Sequence, residues 1–339
     1  MINTSNDGQV IQESVAVKQG ADFYPEGPLI GRIERLRVQR WIAHRKDRRA
    51  YDGKTVLSFP PYLIIEPTNV CNLQCPFCPR ELTEKSRGLG FMDMELFKKI
   101  IDEAVTNGAY GISLYMLGEP MLHKNIVDMI NYAKNAGMPA VNLSTAATTT
   151  NLDSLLETEL DDLILSIDGS SKEMYERMRV GGTFEKTVEI ATKFLEKKKD
   201  MKKEKPYVRV QIIRTKETEK EITDYLKKWL PLADTVYAHN LDGMVPWLGN
   251  VMMTNDEVKK KNANRLPCTQ LWKVINVFWN GTVSCCCHDA LGDMVLGNLK
   301  DSTLKELWHS ERAEMFRQRH LNNDLDGTIC KSCTEWDVW

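Results

Sequence analysis

Between residues 62 and 241, six short β-rich runs alternate with segments of helical pattern. The runs are YLIIEPT, GISLYML, AVNLST, LILSID, VRVQIIRT and TVYAHNL, and the helical segments include MELFKKIIDEAV and NIVDMINYAKNAG. Strands that alternate with helices form parallel sheets, and strands this apolar are covered on both faces. Six units are too few for an eightfold barrel, so the pattern predicts an α/β fold with a partial barrel or an open doubly wound sheet.

Three cysteines follow the first of these runs, in the sequence CNLQCPFC. Cys71, Cys75 and Cys78 have the spacing C-x3-C-x2-C on the loop that leaves the first strand, which is the edge where parallel sheets place their chemistry. Three thiolates hold three irons of a 4Fe-4S cluster and leave one iron open, whereas a structural zinc ion takes four protein ligands. The motif therefore predicts a cluster with one open iron, and zinc is the alternative.

A second set of cysteines lies near the carboxyl end of the chain: Cys268, Cys285, Cys286, Cys287, Cys330 and Cys333. The segment KVINVFWNGTVSCCC predicts a hairpin, because Asn280 and Gly281 favour the positive φ angles of a two-residue turn. One helix, TLKELWHSERAEMFRQRHL, is expected to follow. Four cysteines are also a common structural zinc set, so zinc is a serious rival here.

These patterns divide the chain into four parts. Residues 1–57 form an extension, residues 58–241 the α/β domain, residues 242–266 a connection and residues 267–339 a small cysteine-rich hairpin-plus-helix domain. In the extension, the segment from Ile30 to Arg49 has apolar residues at helical spacing among many arginines and predicts a basic amphipathic helix. Its apolar stripe packs on the main domain, or its arginines bind an anion or the substrate.

Composition and charge restrict the compartment and the partners. The 339 residues carry a formal net charge of −2, so no overall field favours nucleic acid or a membrane surface. The polar amino terminus has neither a signal peptide nor a membrane-spanning pattern, which predicts a cytoplasmic protein. In that compartment nine cysteines stay reduced, and clustered cysteines more often bind metals or act as redox groups than form bridges.

The first cysteine motif, with Phe77 before its last cysteine, resembles that of the radical S-adenosylmethionine (SAM) superfamily. This resemblance implies that the open iron binds SAM and that an electron, from a reduced flavodoxin or a ferredoxin-like donor, cleaves SAM to a 5′-deoxyadenosyl radical that abstracts a substrate hydrogen. The resemblance also favours the partial (β/α)6 barrel over the open doubly wound sheet. LGEP resembles the family's GGEP element in Gly118, Glu119 and Pro120, with Leu117 in place of the first glycine, and implies contacts to the SAM ammonium group.

Further residues are matched to this family's cofactor site. Ser144 and Thr145 fit a third-strand element only in part, whereas Ser166 and Asp168 fit a fourth-strand element and are expected to face the cavity by strand alternation. Asp168 could instead cap the next helix. Arg179 resembles an arginine near the SAM carboxylate. The remaining candidates for the cavity on strands five and six are Gln211, Arg214, His239 and Asn240.

The second set resembles the SPASM or shorter twitch extension of such enzymes. Cys268, Gly281 and Cys286 fit its frame, and Cys330 and Cys333 supply the closing pair, which implies one auxiliary 4Fe-4S cluster. Because adjacent residues of a strand face opposite sides, Cys285 and Cys287 are both expected to point away from the side that Cys286 serves. Cys287 is the other candidate ligand, a spare thiol is a candidate hydrogen donor, and plain packing is the alternative. Asp289 is a candidate polar group beside this cluster.

The resemblance implies a radical SAM oxidoreductase or epimerase. A small carbohydrate-like or natural-product substrate is favoured, because residues 1–57 lack the strand-rich pattern of a domain that binds peptide leaders. The alternative is a maturase that epimerises or crosslinks a ribosomally made peptide. A third hypothesis, outside enzymes, is a cluster- or zinc-bearing scaffold that only binds partners.

Overall fold

The computed structural model describes residues 55–240, 262–263, 265–333 and 335–336. The expected basic helix from Ile30 to Arg49 and most of the connection 242–266 lie outside the described residues, and so does the side chain of Asn240. No helix within the described ranges is long and apolar enough to cross a membrane.

One nine-stranded sheet runs through the described part of the chain. The strands are β1 (Tyr62–Ile65), β2 (Gly111–Leu114), β3 (Ala140–Thr145), β4 (Asp162–Ser166), β5 (Tyr207–Arg214), β6 (Thr235–Asn240), β7 (Val274–Val277), β8 (Thr282–Ser284) and β9 (Val295–Asn298). Their order in the sheet is β6-β5-β4-β3-β2-β1-β7-β8-β9. The first six pair in parallel and β6 does not return to β1, so the expected partial (β/α)6 barrel is confirmed.

Helices lie between the parallel strands in the chain and follow β9. They are α1 (Arg80–Arg87), α2 (Met94–Thr106), α3 (Ile126–Asn135), α4 (Lys172–Met178), α5 (Phe184–Asp200), α6 (Ile222–Trp229), α7 (Leu304–Trp308) and α8 (Glu311–Leu321). Helix α2 shows why they form: the Asp93 carboxylate accepts from the backbone N–H groups of Glu95 and Leu96, and apolar residues at helical spacing are buried against the sheet.

The auxiliary hairpin extends the barrel sheet. Strand β7 pairs in parallel with β1, from Tyr62 opposite Val274 to Ile65 opposite Val277, and then antiparallel with β8. The hairpin prediction is therefore confirmed, but the two-residue turn is wrong. Val277 pairs with Val283, and of the residues between them only Gly281 has a positive φ, at 82°. The longer turn makes room for the Trp279 side chain, which packs against the core.

The single helix expected after the hairpin is two helices. The Ser310 side chain accepts from the backbone N–H of Ala313 and begins α8 immediately after α7 has ended. A serine that competes for backbone donors favours a helix start over a helix interior, and the sequence pattern of apolar residues conceals this break.

Candidate active site

A cavity of about 350 Å³ opens at the carboxyl ends of the barrel strands. Of the residues named from sequence, its lining contains Cys71, Cys75, Phe77, Cys78, Gly118, Glu119, Ser144, Thr145, Ser166, Arg179, Gln211, His239 and Cys287. Residues from distant parts of the sequence therefore share one space, as expected for parallel strands whose carboxyl ends meet. Their individual roles stay predictions.

The cysteine loop presents its three thiols to this cavity. The Cys75 carbonyl accepts from the Cys78 N–H at 3.0 Å, which makes a tight turn, and the Gln74 N–H donates to the Val180 carbonyl at 2.8 Å. Burial raises the pKa of the Cys78 thiol to about 11. A buried thiol of this kind ionises only with a cation beside it, and cluster iron provides one.

The LGEP turn lies directly against this loop. A Cβ atom on Gly118 would lie 2.1 Å from the Thr68 carbonyl oxygen, so only glycine fits without a shift of the backbone. Glu119 is 2% exposed, and its carboxylate accepts from the Thr145 hydroxyl at 2.7 Å and from the Ala146 N–H at 2.7 Å. Burial raises the pKa of Glu119, and these donors oppose the rise. Pro120 does not line the cavity but begins a short 3₁₀ turn.

Arg179 lies between Asp168 and the cysteine loop. Its guanidinium contacts the Asp168 carboxylate at 2.6 Å and the Cys75 sulfur at 3.8 Å. The expectation that Asp168 faces the cavity is wrong, because this residue follows the end of β4 and its other oxygen accepts from the Ile213 N–H at 2.6 Å. The capping alternative is wrong too, since Ser171 caps the next helix.

The cavity wall also contains polar residues that sequence reasoning missed. They are Ser113, Asn142, Arg209, Tyr237 and His288. Buried Arg209 pairs with buried Asp162, and the Tyr237 hydroxyl donates to the Gln211 side-chain oxygen. Strand parity could have found Arg209, because it shares the face of Gln211 on β5. Arg214 has the opposite parity: it pairs with Glu219 and does not line the cavity.

The auxiliary cysteines gather beside the hairpin. Burial raises the pKa of the Cys268 thiol, and the charges of Cys333 and Cys330 raise it further. A hydrogen bond with Cys287 and burial raise the pKa of Cys286, as do the charges of Cys330 and Cys268. Four cysteines from three chain segments therefore lie within electrostatic reach of one another.

The expected orientation of Cys285 and Cys287 is wrong. Strand β8 ends at Ser284, so strand alternation does not govern the residues that follow. The Cys285 thiol is buried against the Met294 carbonyl at 3.6 Å, whereas the Cys287 sulfur lies 3.5 Å from the Gln270 amide nitrogen and lines the cavity. Asp289 is not in the lining: its carboxylate accepts from the Ser284 hydroxyl at 2.7 Å and from three backbone N–H groups that follow it.

The donor sets fit iron–sulfur clusters. Within the described ranges, no three histidine, cysteine, aspartate or glutamate side chains converge on a position for a single metal ion. Ligands of a cubane cluster bind separate irons and therefore lie farther apart than the ligands of one zinc ion. At the first site, the buried Arg179 Nε has no hydrogen-bond partner among the described residues, which suits a bound group beside Cys75.

A partial α/β barrel with a three-cysteine loop at its mouth and a second cysteine cluster on its extended sheet defines an iron–sulfur enzyme of radical type. The model of the radical SAM superfamily matches residues 65–228, and that of the SPASM iron-sulfur cluster-binding domain matches residues 268–334. The chain belongs to the radical SAM superfamily and carries a carboxyl-terminal SPASM domain. Its cofactors are 4Fe-4S clusters and SAM.

Similar proteins differ in what they act on. One is a tungsten-containing aldehyde ferredoxin oxidoreductase cofactor-modifying protein from Pyrococcus furiosus, 26% identical over 76% of this chain and 83% of its own length. Another is an S-adenosyl-L-methionine-dependent 2-deoxy-scyllo-inosamine dehydrogenase from Niallia circulans, 21% identical over 81% of this chain and 92% of that protein. Among solved structures, Streptococcus suis SuiB bound to precursor peptide SuiA has a TM-score of 0.61 at 15% identity and covers 97% of this chain and 80% of its own.

Proposed function

We propose that this enzyme abstracts a hydrogen atom from a small, carbohydrate-like substrate and completes either a dehydrogenation or an epimerisation. Cys71, Cys75 and Cys78 hold the SAM-binding cluster in this proposal, and Cys268, Cys286, Cys330 and Cys333 hold the auxiliary cluster. The electron donor is a reduced flavodoxin or ferredoxin-like protein. Nine free cysteines suit a reducing, cytoplasmic compartment.

The cavity is the observation that carries the proposal. Its volume of about 350 Å³ lies at the small end of the range for ligand sites, which is a few hundred to about 1,000 Å³. It joins the three cluster cysteines to a polar inner wall, where Asn142 contacts Ser113 at 3.2 Å and Gln211 contacts Tyr237. Paired amide and hydroxyl groups of this kind both donate and accept, which matches the hydroxyls of a polyhydroxylated molecule.

The residues around the cysteine loop are suited to orient SAM. The Arg179 guanidinium suits the SAM carboxylate, and Asp168 holds the guanidinium in place through a buried ion pair. The Ile213 N–H in turn donates to the Asp168 carboxylate. The turn proposed for the SAM ammonium group is formed by Gly118, Glu119 and Pro120. On the adjoining wall, the hydroxyl oxygens of Ser144 and Ser166 lie 3.4 Å apart. Phe77 lies under Arg179, with 5.5 Å between the guanidinium carbon and the ring centroid.

When bound, the clusters and SAM supply the radical that removes the substrate hydrogen and the one-electron redox partner that either outcome needs. Cys287 is the proposed hydrogen donor, because its thiol lines the cavity while that of Cys285 does not. In epimerisation, the carbon radical takes a hydrogen atom from the Cys287 Sγ, and one electron and one proton then restore the thiol. In dehydrogenation, the substrate radical instead loses one electron and one proton.

A peptide substrate is the second candidate. SuiB was solved with its precursor peptide, and the chain shares its fold over most of its length. The cavity volume of about 350 Å³, however, suits a small ligand better than an extended peptide. The 2-deoxy-scyllo-inosamine dehydrogenase, which matches 81% of this chain, supports the small-molecule substrate.

The test uses the anaerobically reconstituted enzyme, reduced with dithionite, with SAM in heavy water and 2-deoxy-scyllo-inosamine as the probe. We expect 5′-deoxyadenosine from the wild-type enzyme and none from Cys71→Ala. If Cys287 donates a hydrogen atom, the recovered probe carries deuterium in the wild type and in Cys285→Ala, but not in Cys287→Ala. A keto product without deuterium assigns dehydrogenation.

Cys285→Ala is the matched control, because it removes a thiol from the same tripeptide that faces the protein core. Iron and sulfide content must equal that of the wild type in both variants. An enzyme with full clusters that forms no 5′-deoxyadenosine would contradict the proposal. Turnover of a leader peptide, with none of a panel of aminocyclitols and sugars, would favour the peptide alternative.

A further inference from the structure

Two buried nitrogen atoms beside the auxiliary cysteines have no hydrogen-bond partner among the described residues: Arg265 Nε and His320 Nε2. Buried N–H groups are nearly always bonded, because an unmade bond costs about 1–3 kcal/mol. Both atoms therefore point to an acceptor that the described residues do not supply.

Arg265 is fixed against the turn that carries two of the cysteines. Its Nη1 donates to the Cys330 carbonyl at 2.5 Å and to the Cys333 carbonyl at 3.1 Å. These bonds use one end of the guanidinium and leave Nε free to point elsewhere. Burial raises the pKa of the Cys330 thiol to about 11, and the positive charge of Arg265 opposes this rise. The guanidinium therefore acts electrostatically on the Cys330 thiol and is bonded to the carbonyls of the same turn.

His320 approaches from α8 on the side of the first cysteine. It is 5% exposed, and its Nδ1 accepts from the Cys268 N–H at 3.3 Å. An imidazole that accepts at Nδ1 carries its proton on Nε2, so the atom without a partner is a donor. Both buried groups thus carry an N–H and bond to the backbone of cysteines in this set, where the sulfur atoms of a bound cluster would be acceptors.

We infer that Arg265 and His320 donate hydrogen bonds to sulfur atoms of the auxiliary cluster and raise its reduction potential. The inference rests on the cysteine set proposed above as its ligands. Reduction adds an electron to a buried anionic cluster, and N–H donors and a fixed positive charge stabilise the added negative charge. The two residues are positioning residues: they act on the cluster and not on the substrate.

The experiment measures the auxiliary cluster alone, in the full chain with Cys71, Cys75 and Cys78 changed to Ala. Each protein is reconstituted anaerobically, its iron and sulfide are counted, and its midpoint potential is titrated by EPR and visible absorption. The variants are Arg265→Gln, Arg265→Lys, His320→Phe and Arg319→Gln. Arg319→Gln is the matched control, because it also replaces an arginine by glutamine and removes one positive charge. The Arg319 side chain lies on α8, is 26% exposed and bonds to the Asp324 carbonyl.

We expect Arg265→Gln to lower the equilibrium constant for reduction about tenfold, which is about 59 mV for one electron. His320→Phe should also lower this equilibrium constant, and Arg319→Gln should leave it unchanged. The value for Arg265→Lys should lie closer to that of the wild type than the value for Arg265→Gln. Unchanged potentials in Arg265→Gln and His320→Phe with full clusters would overturn the inference, as would an equal drop in Arg319→Gln. If Arg265→Gln fails to hold a cluster, His320→Phe decides by the same criterion.

This readout is independent of the proposed reaction. The background variant lacks the first cluster and has no turnover to lose, so a wrong substrate leaves the measured potential untouched. Failure of the proposed auxiliary site has a different signature, because a background protein whose remaining cysteines hold no cluster would contain no cubane at all.

Discussion

At the scale of single residues, the site depends on buried charges whose partners hold them in place. Arg179 is an example: Asp168 compensates its charge from one side, and the cavity with Cys75 lies on the other. A charged side chain that is buried this deeply is held by its partner, because the uncompensated charge would cost several kcal/mol. Asp168 thus supports the proposed SAM site from outside the cavity.

Asp168→Asn tests this support. The amide keeps the size of the side chain but leaves the Arg179 charge uncompensated, so we expect the free energy of unfolding to fall by about 3 kcal/mol. SAM affinity should fall at least about tenfold, as measured by equilibrium dialysis of reconstituted protein. The control is Asp153→Asn, in an exposed pair with Lys197 that is expected to change stability by less than about 1 kcal/mol. Equal effects in both variants would refute the support role.

His123 gives a second prediction, on pH. It is buried, its Nε2 lies 2.9 Å from the Met92 carbonyl, and its Nδ1 accepts from the Asn125 N–H at 3.2 Å. Burial lowers the pKa of His123 below its ordinary value of 6.5. The unfolded chain therefore binds the proton first as the pH falls, and stability is complete above pH 6.5 and lost as the pH decreases through the lowered pKa.

The measurement is urea unfolding of the apoprotein at several pH values from 7.5 to 5. We expect wild type to lose more stability over this range than His123→Gln, which has no imidazole to protonate. His309→Gln, at the surface, should behave as the wild type. An identical pH dependence in wild type and His123→Gln would show that the residue does not contribute.

At the scale of elements, the turn after β2 and the cysteine loop are fitted to each other through Gly118. Adding a methyl group here would bring it within 2.1 Å of the Thr68 carbonyl and 2.8 Å of the Asn69 Cα, both backbone atoms. Backbone cannot swing aside as a side chain can, so one of the two loops must shift.

We expect Gly118→Ala to lower the free energy of unfolding by about 1–3 kcal/mol and to weaken SAM binding at least about tenfold. Gly108→Ala is the control, because a Cβ there meets nothing within 4 Å and only the positive φ of 75° is strained. It should cost about 1 kcal/mol and leave SAM binding unchanged. Unfolding curves and dialysis measure both quantities. Normal SAM affinity in Gly118→Ala would refute the fit between the loops.

At the scale of the whole molecule, the barrel and the SPASM domain share one sheet and meet at a buried ion pair of the barrel. Arg87 on α1 contacts the Glu66 carboxylate at 2.9 Å, donates to the Ala290 carbonyl at 3.1 Å and covers the Phe278 ring. Glu66 follows β1 and also accepts from the Trp279 N–H. The end of the first strand, the helix after the cysteine loop and the auxiliary hairpin therefore meet at one point.

Arg87→Met should lower the free energy of unfolding by about 3–5 kcal/mol, because it leaves Glu66 charged, buried and without its cation. The double variant Glu66→Gln/Arg87→Met should recover at least about 1 kcal/mol of that loss, since the amide needs no countercharge. Guanidinium unfolding followed by tryptophan fluorescence measures both. A double variant less stable than Arg87→Met would contradict this account.

Local patterns were enough to predict the barrel and the motif cysteines. The six strand and helix alternations predict parallel pairing, because the spacing of apolar residues is a property of neighbouring positions in the chain. The cysteine motif likewise shows the number of ligands within one short segment. The hairpin was predictable for the same reason, since its arms are adjacent in sequence. Asp168 and the cysteine tripeptide were misplaced, because each follows the end of a strand and strand alternation no longer applies there.

The amino-acid sequence thus specified which elements form and which cofactor chemistry they serve. Tertiary structure alone decided that β7 joins β1 in one sheet, that Arg179 is held by Asp168 and that Cys287, not Cys285, enters the cavity. These outcomes depend on contacts between residues far apart in the chain, and such contacts leave no period or spacing in the sequence.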